Sequence, residues 1–220
     1  MHRKNIANYI DHTLLKSEAT SSDIHNLCQE AIKYHFHSIC INPYWVHDAA
    51  MHLKSSYVNI CSVVGFPLGT NKSSIKLNEI EACLLDGANE IDMVMNIGEF
   101  KNKNYAKIAN ELNKARELTQ NKIIKIIIET SLLSEKEIVI ASQIVESSGG
   151  DFIKTSTGFG INGANTKNIL LILNSITSKT QVKASGGIKS FKQLNNMLNA
   201  GAQRIGTSSS VIIMEEIPSS

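Results

Sequence analysis

A single-domain α/β fold of the (β/α)8, TIM-barrel type is predicted by three observations on this 220-residue sequence. Eight short β-rich runs recur along it, each followed by a polar or glycine-bearing turn and then an amphipathic stretch. Most of the runs are continuously apolar rather than alternating, the pattern of strands covered on both faces. The repeat of roughly 28 residues leaves room for eight units with few insertions, somewhat tighter than the ~250 residues of a typical barrel. An open doubly wound sheet would place a GxGxxG after its first strand, and none follows either of the first two runs.

The candidate strands are IDHTLL (10–15), SICIN (38–42), VNICSVVG (58–65), EIDMVMN (90–96), KIIKIIIET (122–130), DFIKT (151–155), QVKAS (181–185) and RIGTS (204–208). Residues 1–9 are expected to form a short helical lead-in, and no linker divides the domain spanning 1–220. After the first strand, Ser21, Ser22 and Asp23 precede Ile24, Leu27, Cys28 and Ala31, which recur at helical spacing. Pro43 stands where a first helical turn would begin after the second strand. Ser134 with Glu137 three residues on forms a capping-box pattern ahead of Ile138, Ala141 and Val145. Gly87, Gly149, Gly150 and Gly201 fall where helices should end before the next strand.

The composition, 42% hydrophobic and 19% charged with a formal charge of +2, is ordinary for a globular protein. No basic stripe with interleaved aromatics suggests a nucleic-acid partner. The N-terminus MHRKNIANYIDH has no apolar leader-like run, and no segment approaches membrane-spanning length, so a cytoplasmic location without membrane contact is expected. Cys28, Cys40, Cys61 and Cys83 form no CxxC and read as reduced, buried thiols. The histidines show neither HExxH spacing nor a Cys/His cluster, and neither a metal nor a cofactor is expected.

In such a barrel, chemistry belongs at the C-terminal strand ends and in the βα turns. Asp11 and Thr13, Asp92 and Asn96, Glu129 and Thr130, Lys154, Lys183, and Ser208 and Ser209 are the polar intrusions there. Lys154 and Lys183 each follow two strand residues and precede a small-residue turn on neighbouring strands. Strands lie ~4.8 Å apart, so the two ammonium groups should converge. Like charge and desolvation would then depress the pKa of at least one, giving the neutral amine that a Schiff-base enzyme needs. The plainer alternative is that the lysines snorkel outward or pair as structural ions with Asp92 and Glu129. Asp92, flanked by Ile91 and Met93, reads as a buried partner for a lysine or as a proton shuttle. Strands four and six share an interior layer, which would let Asp92 meet Lys154 across the barrel. SGGIKS (185–190) and GTSSS (206–210) offer backbone N–H groups and hydroxyls where barrels bind phosphate, and TSTGFG after Lys154 would lie alongside.

At these residues the sequence resembles the deoxyribose-phosphate aldolases. IDHTLL, GFPLG (65–69), EIDMVMNIG, IIIET, DFIKTSTGF, VKASGGI and RIGTSS occur in that family's order and spacing, from about residue 10 to 210. The resemblance implies reversible aldol cleavage of 2-deoxy-D-ribose 5-phosphate to D-glyceraldehyde 3-phosphate and acetaldehyde, without a metal. It implies Lys154 as the Schiff-base lysine, Lys183 as the second catalytic lysine and Asp92 as the proton relay. It puts phosphate at Gly158, Gly186, Gly187, Ser208 and Ser209, and Thr157 is read as part of the same pocket. Asp11 and Glu129 are supporting candidates, and a homodimer is an expectation of the resemblance. The rivals are another Schiff-base aldolase or transaldolase, a lysine-free phosphosugar isomerase, and a barrel that only binds. Two departures stand out. The sequence ends EEIPSS with no tyrosine after Tyr105, where many members have a terminal tyrosine, so slower proton exchange at the acetaldehyde carbon is expected. Phe159 stands where some relatives place a lysine that helps hold phosphate.

Overall fold

All eight β-rich runs form strands in the computed structural model, which describes residues 6–177 and 179–217. They are β1 (Ile10–Leu14), β2 (Ser38–Ile41), β3 (Asn59–Val64), β4 (Glu90–Val94), β5 (Ile123–Ile127), β6 (Phe152–Lys154), β7 (Gln181–Ser185) and β8 (Arg204–Thr207). The strands pair in parallel in sequence order, and β8 closes on β1. Closure leaves no free sheet edge and requires a crossover helix between neighbours.

The crossover helices begin where local chemistry supplies a cap. Thr20, one residue ahead of the expected serines, caps α1 (Ser21–Tyr34) in a reciprocal box with Asp23. Pro43 opens a 3₁₀ turn that runs into α2 (Val46–Leu53). The later helices are α3 (Ser73–Leu85), α4 (Ile97–Lys101), α5 (Tyr105–Thr119), α6 (Glu135–Ser147), α7 (Thr166–Leu173), α8 (Phe191–Asn199) and α9 (Ser210–Glu215). Ser134 and Glu137 form the expected capping box of α6, and Gly87, Gly149 and Gly201 follow helices with positive φ. The apolar stripes Ile24–Leu27–Cys28–Ala31 and Ile138–Ala141–Val145 face inward and are buried. Each large aliphatic side chain so buried contributes about 1.5–3 kcal/mol. Of the lead-in, Ile6 and Ala7 are helical and buried, while residues 1–5 lie outside the described ones.

Two strands end more than one residue before their expected bounds. β4 stops at Val94 because Asn96 turns to cap α4, its side chain accepting from the Glu99 N–H at 3.1 Å. β5 stops at Ile127 because Glu129 takes a left-handed conformation (φ 48°) and Thr130 starts a 3₁₀ turn. A polar residue that leaves the ladder to bond locally thus shortens the strand.

The main hydrophobic core lies between the strands and the helices, where Ile39, Ile60, Ile91, Ile124, Ile153, Val182 and Ile205 meet the helix stripes. The barrel interior is different. Asp11, Glu90, Asp92, Lys125, Lys154, Lys183 and Arg204 occupy it and are all buried.

A second buried ion pair braces the mouth from outside. Lys76 on α3 reaches Glu111 on α5 at 3.0 Å and donates to the Val94 carbonyl at 2.9 Å, at the end of β4. Its stem passes beneath Gly65 of the GFPLG turn. Burial lowers the proton affinity of this lysine, and Glu111 opposes that only in part. Lys76→Ala, which strands a buried carboxylate, is expected to cost about 3–5 kcal/mol in urea unfolding. Lys76→Met combined with Glu111→Leu should recover most of it, and a double variant as unstable as the single would disprove the assignment.

Candidate active site

The in-register pairing of parallel strands places side chains of one phase on the same face, and closure turns that face inward. Lys154 and Lys183 are direct partners across β6 and β7, and Asp92 and Lys125 are partners across β4 and β5. The Asp92 carboxylate therefore stands at the centre. Its Oδ2 accepts from Lys154 Nζ at 2.8 Å and Lys183 Nζ at 2.7 Å, and its Oδ1 accepts from Lys125 Nζ at 2.9 Å. The meeting of strands four and six across the interior is as expected.

Below this centre the charges continue. Lys183 also donates to Asp11 Oδ2 at 2.5 Å, and Lys125 to Glu90 Oε2 at 2.5 Å. Arg204 bridges Asp11 at 2.8 Å and Glu90 at 3.0 Å. Glu90 in turn accepts from the half-exposed His37 at 3.1 Å, at the opposite end of the barrel. Burial pushes the Asp92 carboxyl up, but Lys125, Lys154 and Lys183 outweigh it and hold the group well below the usual carboxylate range. Asp11 is likewise held low, against burial, by Lys183 and Arg204. Glu90, with Lys125 and His37 beside it, falls to about 2 despite its burial. Burial alone would lower the Lys183 ammonium, yet Asp11 and Asp92 hold it above the ordinary lysine value. Crowding by like charge thus does not discharge Lys183, because two carboxylates reach it.

A cavity of about 270 Å³ opens above this centre. Of the three barrel-interior lysines, only Lys154 lines it; Lys125 and Lys183 lie fully buried behind. Thr157, Gly158, Gly186, Gly187 and Ser208 line it as well. Ser209 stands one residue outside the lining, at the start of α9, with its N–H bonded to the Thr207 hydroxyl at 2.9 Å. Gly186 and Gly187 do not open a helix: Ser190 caps α8, and the two glycines form the preceding turn with φ of 86° and 76°. Thr157 faces the cavity, but its hydroxyl and N–H both donate to Glu129 Oε2, at 2.5 and 3.1 Å. Glu129 thereby ties the β6 turn to the end of β5, and Asp11 supports Lys183 from below. Phe159 lines the rim and meets Phe66 of the GFPLG turn edge to face, with centroids 5.3 Å apart.

Sequence reasoning missed Lys125, Glu90 and Arg204. The signal for Lys125 was present: a lysine amid isoleucines in KIIKIIIET has the same pattern as Lys154 in DFIKT. Lys16, Lys189 and Thr207 were also missed as lining residues. The structure further gathers two groups of buried donor atoms, Cys40–Cys61–Asp92 and Asp11–Cys61–Glu90. Lys125 Nζ already sits among them, 3.3 Å from Cys61 Sγ and 2.9 Å from Asp92 Oδ1. An ammonium there neutralises the carboxylates as a bound cation would.

Fold and site together define a (β/α)8 barrel with a lysine–aspartate centre at the floor of a mouth cavity. Residues 5–211 match the model of the DeoC/LacD family aldolases. The chain is 48% identical over 220 residues to a deoxyribose-phosphate aldolase of Caldicellulosiruptor saccharolyticus, covering 98% of this chain and 100% of that one. It is 48% identical over 207 residues to the enzyme of the same name from Mycoplasmopsis pulmonis, covering 94% of each. A solved tetrameric deoxyribose phosphate aldolase from Aeropyrum pernix superposes with a TM-score of 0.89 at 31% identity, covering 97% of this chain and 91% of that one. The chain belongs to the DeoC/LacD aldolase family.

Proposed function

We propose that the chain is a class I aldolase that reversibly cleaves 2-deoxy-D-ribose 5-phosphate to D-glyceraldehyde 3-phosphate and acetaldehyde through a Schiff base on Lys154. The observation that carries this reading is that Lys154 alone of the interior lysines reaches the cavity, with its Nζ 2.8 Å from a carboxylate able to move its proton. The deprotonated amine attacks the C1 aldehyde of the open-chain sugar, and loss of water from the carbinolamine leaves a protonated imine. That cation draws the electrons of the C2–C3 bond as the C3 hydroxyl gives up its proton, which frees the phosphorylated aldehyde and leaves an enamine. Protonation at C2 and hydrolysis release acetaldehyde.

Asp92 Oδ2, bonded to both Lys154 and Lys183, is the group proposed to relay protons at the carbinolamine and hydroxyl steps. Lys183 stays charged under the pull of Asp11 and Asp92, and it supplies positive potential beside the nucleophile. Gly158, Gly186, Gly187, Ser208 and Ser209 are proposed to hold the phosphate, which anchors the substrate away from the reacting carbons. Lys16 and Lys189 add positive charge at the rim of the cavity, where Phe159 brings none.

Borohydride added with acetaldehyde is expected to trap a covalent adduct on the peptide carrying Lys154. An adduct on Lys183 alone, or none, would overturn the role assignment. Gly186 offers a test of the phosphate turn. A Cβ there would lie 3.0 Å from Gly163 Cα and 3.3 Å from Gly158 Cα, and φ of 86° disfavours any side chain. Gly186→Ala should raise KM for the phosphorylated sugar about tenfold with a smaller change in kcat. An unchanged KM in the folded variant would remove the turn from the substrate site.

The assembly is proposed to be a homodimer, with light scattering as its test, since the Aeropyrum relative is described as a tetramer. A cytoplasmic setting belongs to the same reading. It is supported by four buried free cysteines, and no helix among the described residues is long and apolar enough to cross a membrane.

A further inference from the structure

The catalytic sequence above leaves two buried nucleophiles unused. Cys40 on β2 and Cys61 on β3 are direct register partners inside the barrel. With Val63 they form a small cluster apart from the main core, covered by Leu15 and Phe66. Leu15 itself lines the mouth cavity, so the cluster packs against a side chain of the cavity wall. Both thiols point at Asp92. Cys61 Sγ donates to Oδ1 at 3.1 Å, and Cys40 Sγ stands 3.9 Å from the Oδ2 that holds Lys154. The two sulfurs lie within 4.8 Å of each other.

We propose that Cys40 and Cys61 are an oxidisable dithiol that closes to a disulfide under hydroperoxides and thereby switches off the Asp92 centre. Partner residues on adjacent strands stand ~4.8 Å apart at the backbone, inside the Cα–Cα range of about 4.4–6.8 Å that a disulfide spans, so rotation of the side chains suffices. The chemistry balances with a peroxide as oxidant. Cys40 sulfur attacks one peroxide oxygen, releasing water and leaving a sulfenic acid. Cys61 sulfur then attacks the sulfenic sulfur and expels a second water, so two thiols and one hydrogen peroxide give one disulfide and two waters. Cys40 is suited to the first step. The adjacent Cys61, with help from the charges of Lys183 and Lys154, lowers its proton affinity against burial. Cys28 and Cys83 are unsuited, since burial pushes their thiols up to about 12 and about 11. Once the disulfide forms, Cys61 has no S–H to donate to Asp92, and both sulfurs are drawn together beside the carboxylate.

The test treats the folded, full-length protein with hydrogen peroxide, blocks remaining thiols under acid, and maps peptides without reduction. Expected are a Cys40–Cys61 linkage, free Cys28 and Cys83, and an aldolase rate reduced about tenfold or more. A dithiol reductant should restore the rate, and Cys40→Ser should show neither linkage nor reversible loss. Absence of the linkage, a linkage that includes Cys28 or Cys83, or a linked protein that keeps its full rate would overturn the proposal. Mapping the wild-type protein suffices if the variant does not fold. The linkage arm is independent of the aldolase reading, so failure of that reading would show separately, as no turnover in the reduced protein.

Discussion

Lys154→Met is expected to abolish borohydride trapping of acetaldehyde and to lower kcat/KM by about 10⁴-fold or more. Methionine keeps most of the stem length and removes the amine. Lys154→Arg makes the sharper comparison. It retains the positive charge and the pairing with Asp92, and it has no amine able to form a Schiff base. If covalent capture is the function of the residue, both variants are equally inactive; if Lys154 serves only as a charge, arginine restores a substantial rate. Steady-state kinetics on the two purified variants, each checked for native unfolding behaviour, separates these outcomes. Lys183 and Lys125 remain in both, and neither lines the cavity, so neither is expected to take over.

Asp92→Asn should damage both turnover and stability. The interior sets Asp11, Glu90 and Asp92 against Lys125, Lys154, Lys183 and Arg204, and removing one carboxylate leaves four cations facing two. Loss of the relay is expected to lower kcat by about 10²–10⁴-fold. Breaking the buried pairs is expected to cost about 3–5 kcal/mol. The same cluster sets the response of the parent protein to acid. Asp11, Glu90 and Asp92 titrate below their ordinary range when folded, so the stability they contribute is complete above the unfolded value of ~4. It is lost as pH falls through the folded values, of which Glu90 at about 2 is one. Urea unfolding should therefore give a plateau from pH 7 to about 5 and a decline below about 4. In Asp92→Asn the decline should be shallower, because one of the three carboxylates is gone. A parent profile that stays flat to acid would show that the cluster contributes nothing to folding.

The outer layer of this protein was legible because burial leaves a pattern. Apolar runs such as SICIN and EIDMVMN and the stripe Ile138–Ala141–Val145 report which faces meet, and the Ser134 cap and the Pro43 turn mark where helices begin. The inner layer was legible only in part. Lys154, Lys183 and Asp92 were recognisable as charges out of place, whereas Glu90 and Arg204 begin their strands and Lys125 stands level with Asp92 amid isoleucines; the partners of all three are set by closure of the sheet. Periodicity says that Lys125 is inside; only register says that it meets Asp92. The tie of Thr157 to Glu129 was hidden for another reason. Its hydroxyl suggests a ligand contact, and the left-handed turn at Glu129, which takes that hydroxyl, has no marker in the sequence.

Gly206 adjoins Ser185 and Asp11 in the sheet, and a Cβ there would come within 3.1 Å of Lys183 Cε and 3.2 Å of Ser185 Cβ. Glycine weakens a strand, and a side chain would stiffen this one only if it fitted. The residue is kept for clearance, because the long stem of Lys183 needs the space a methyl group would take. A side chain there would push Lys183 off Asp11 and Asp92, so folding and turnover hold this position to glycine together.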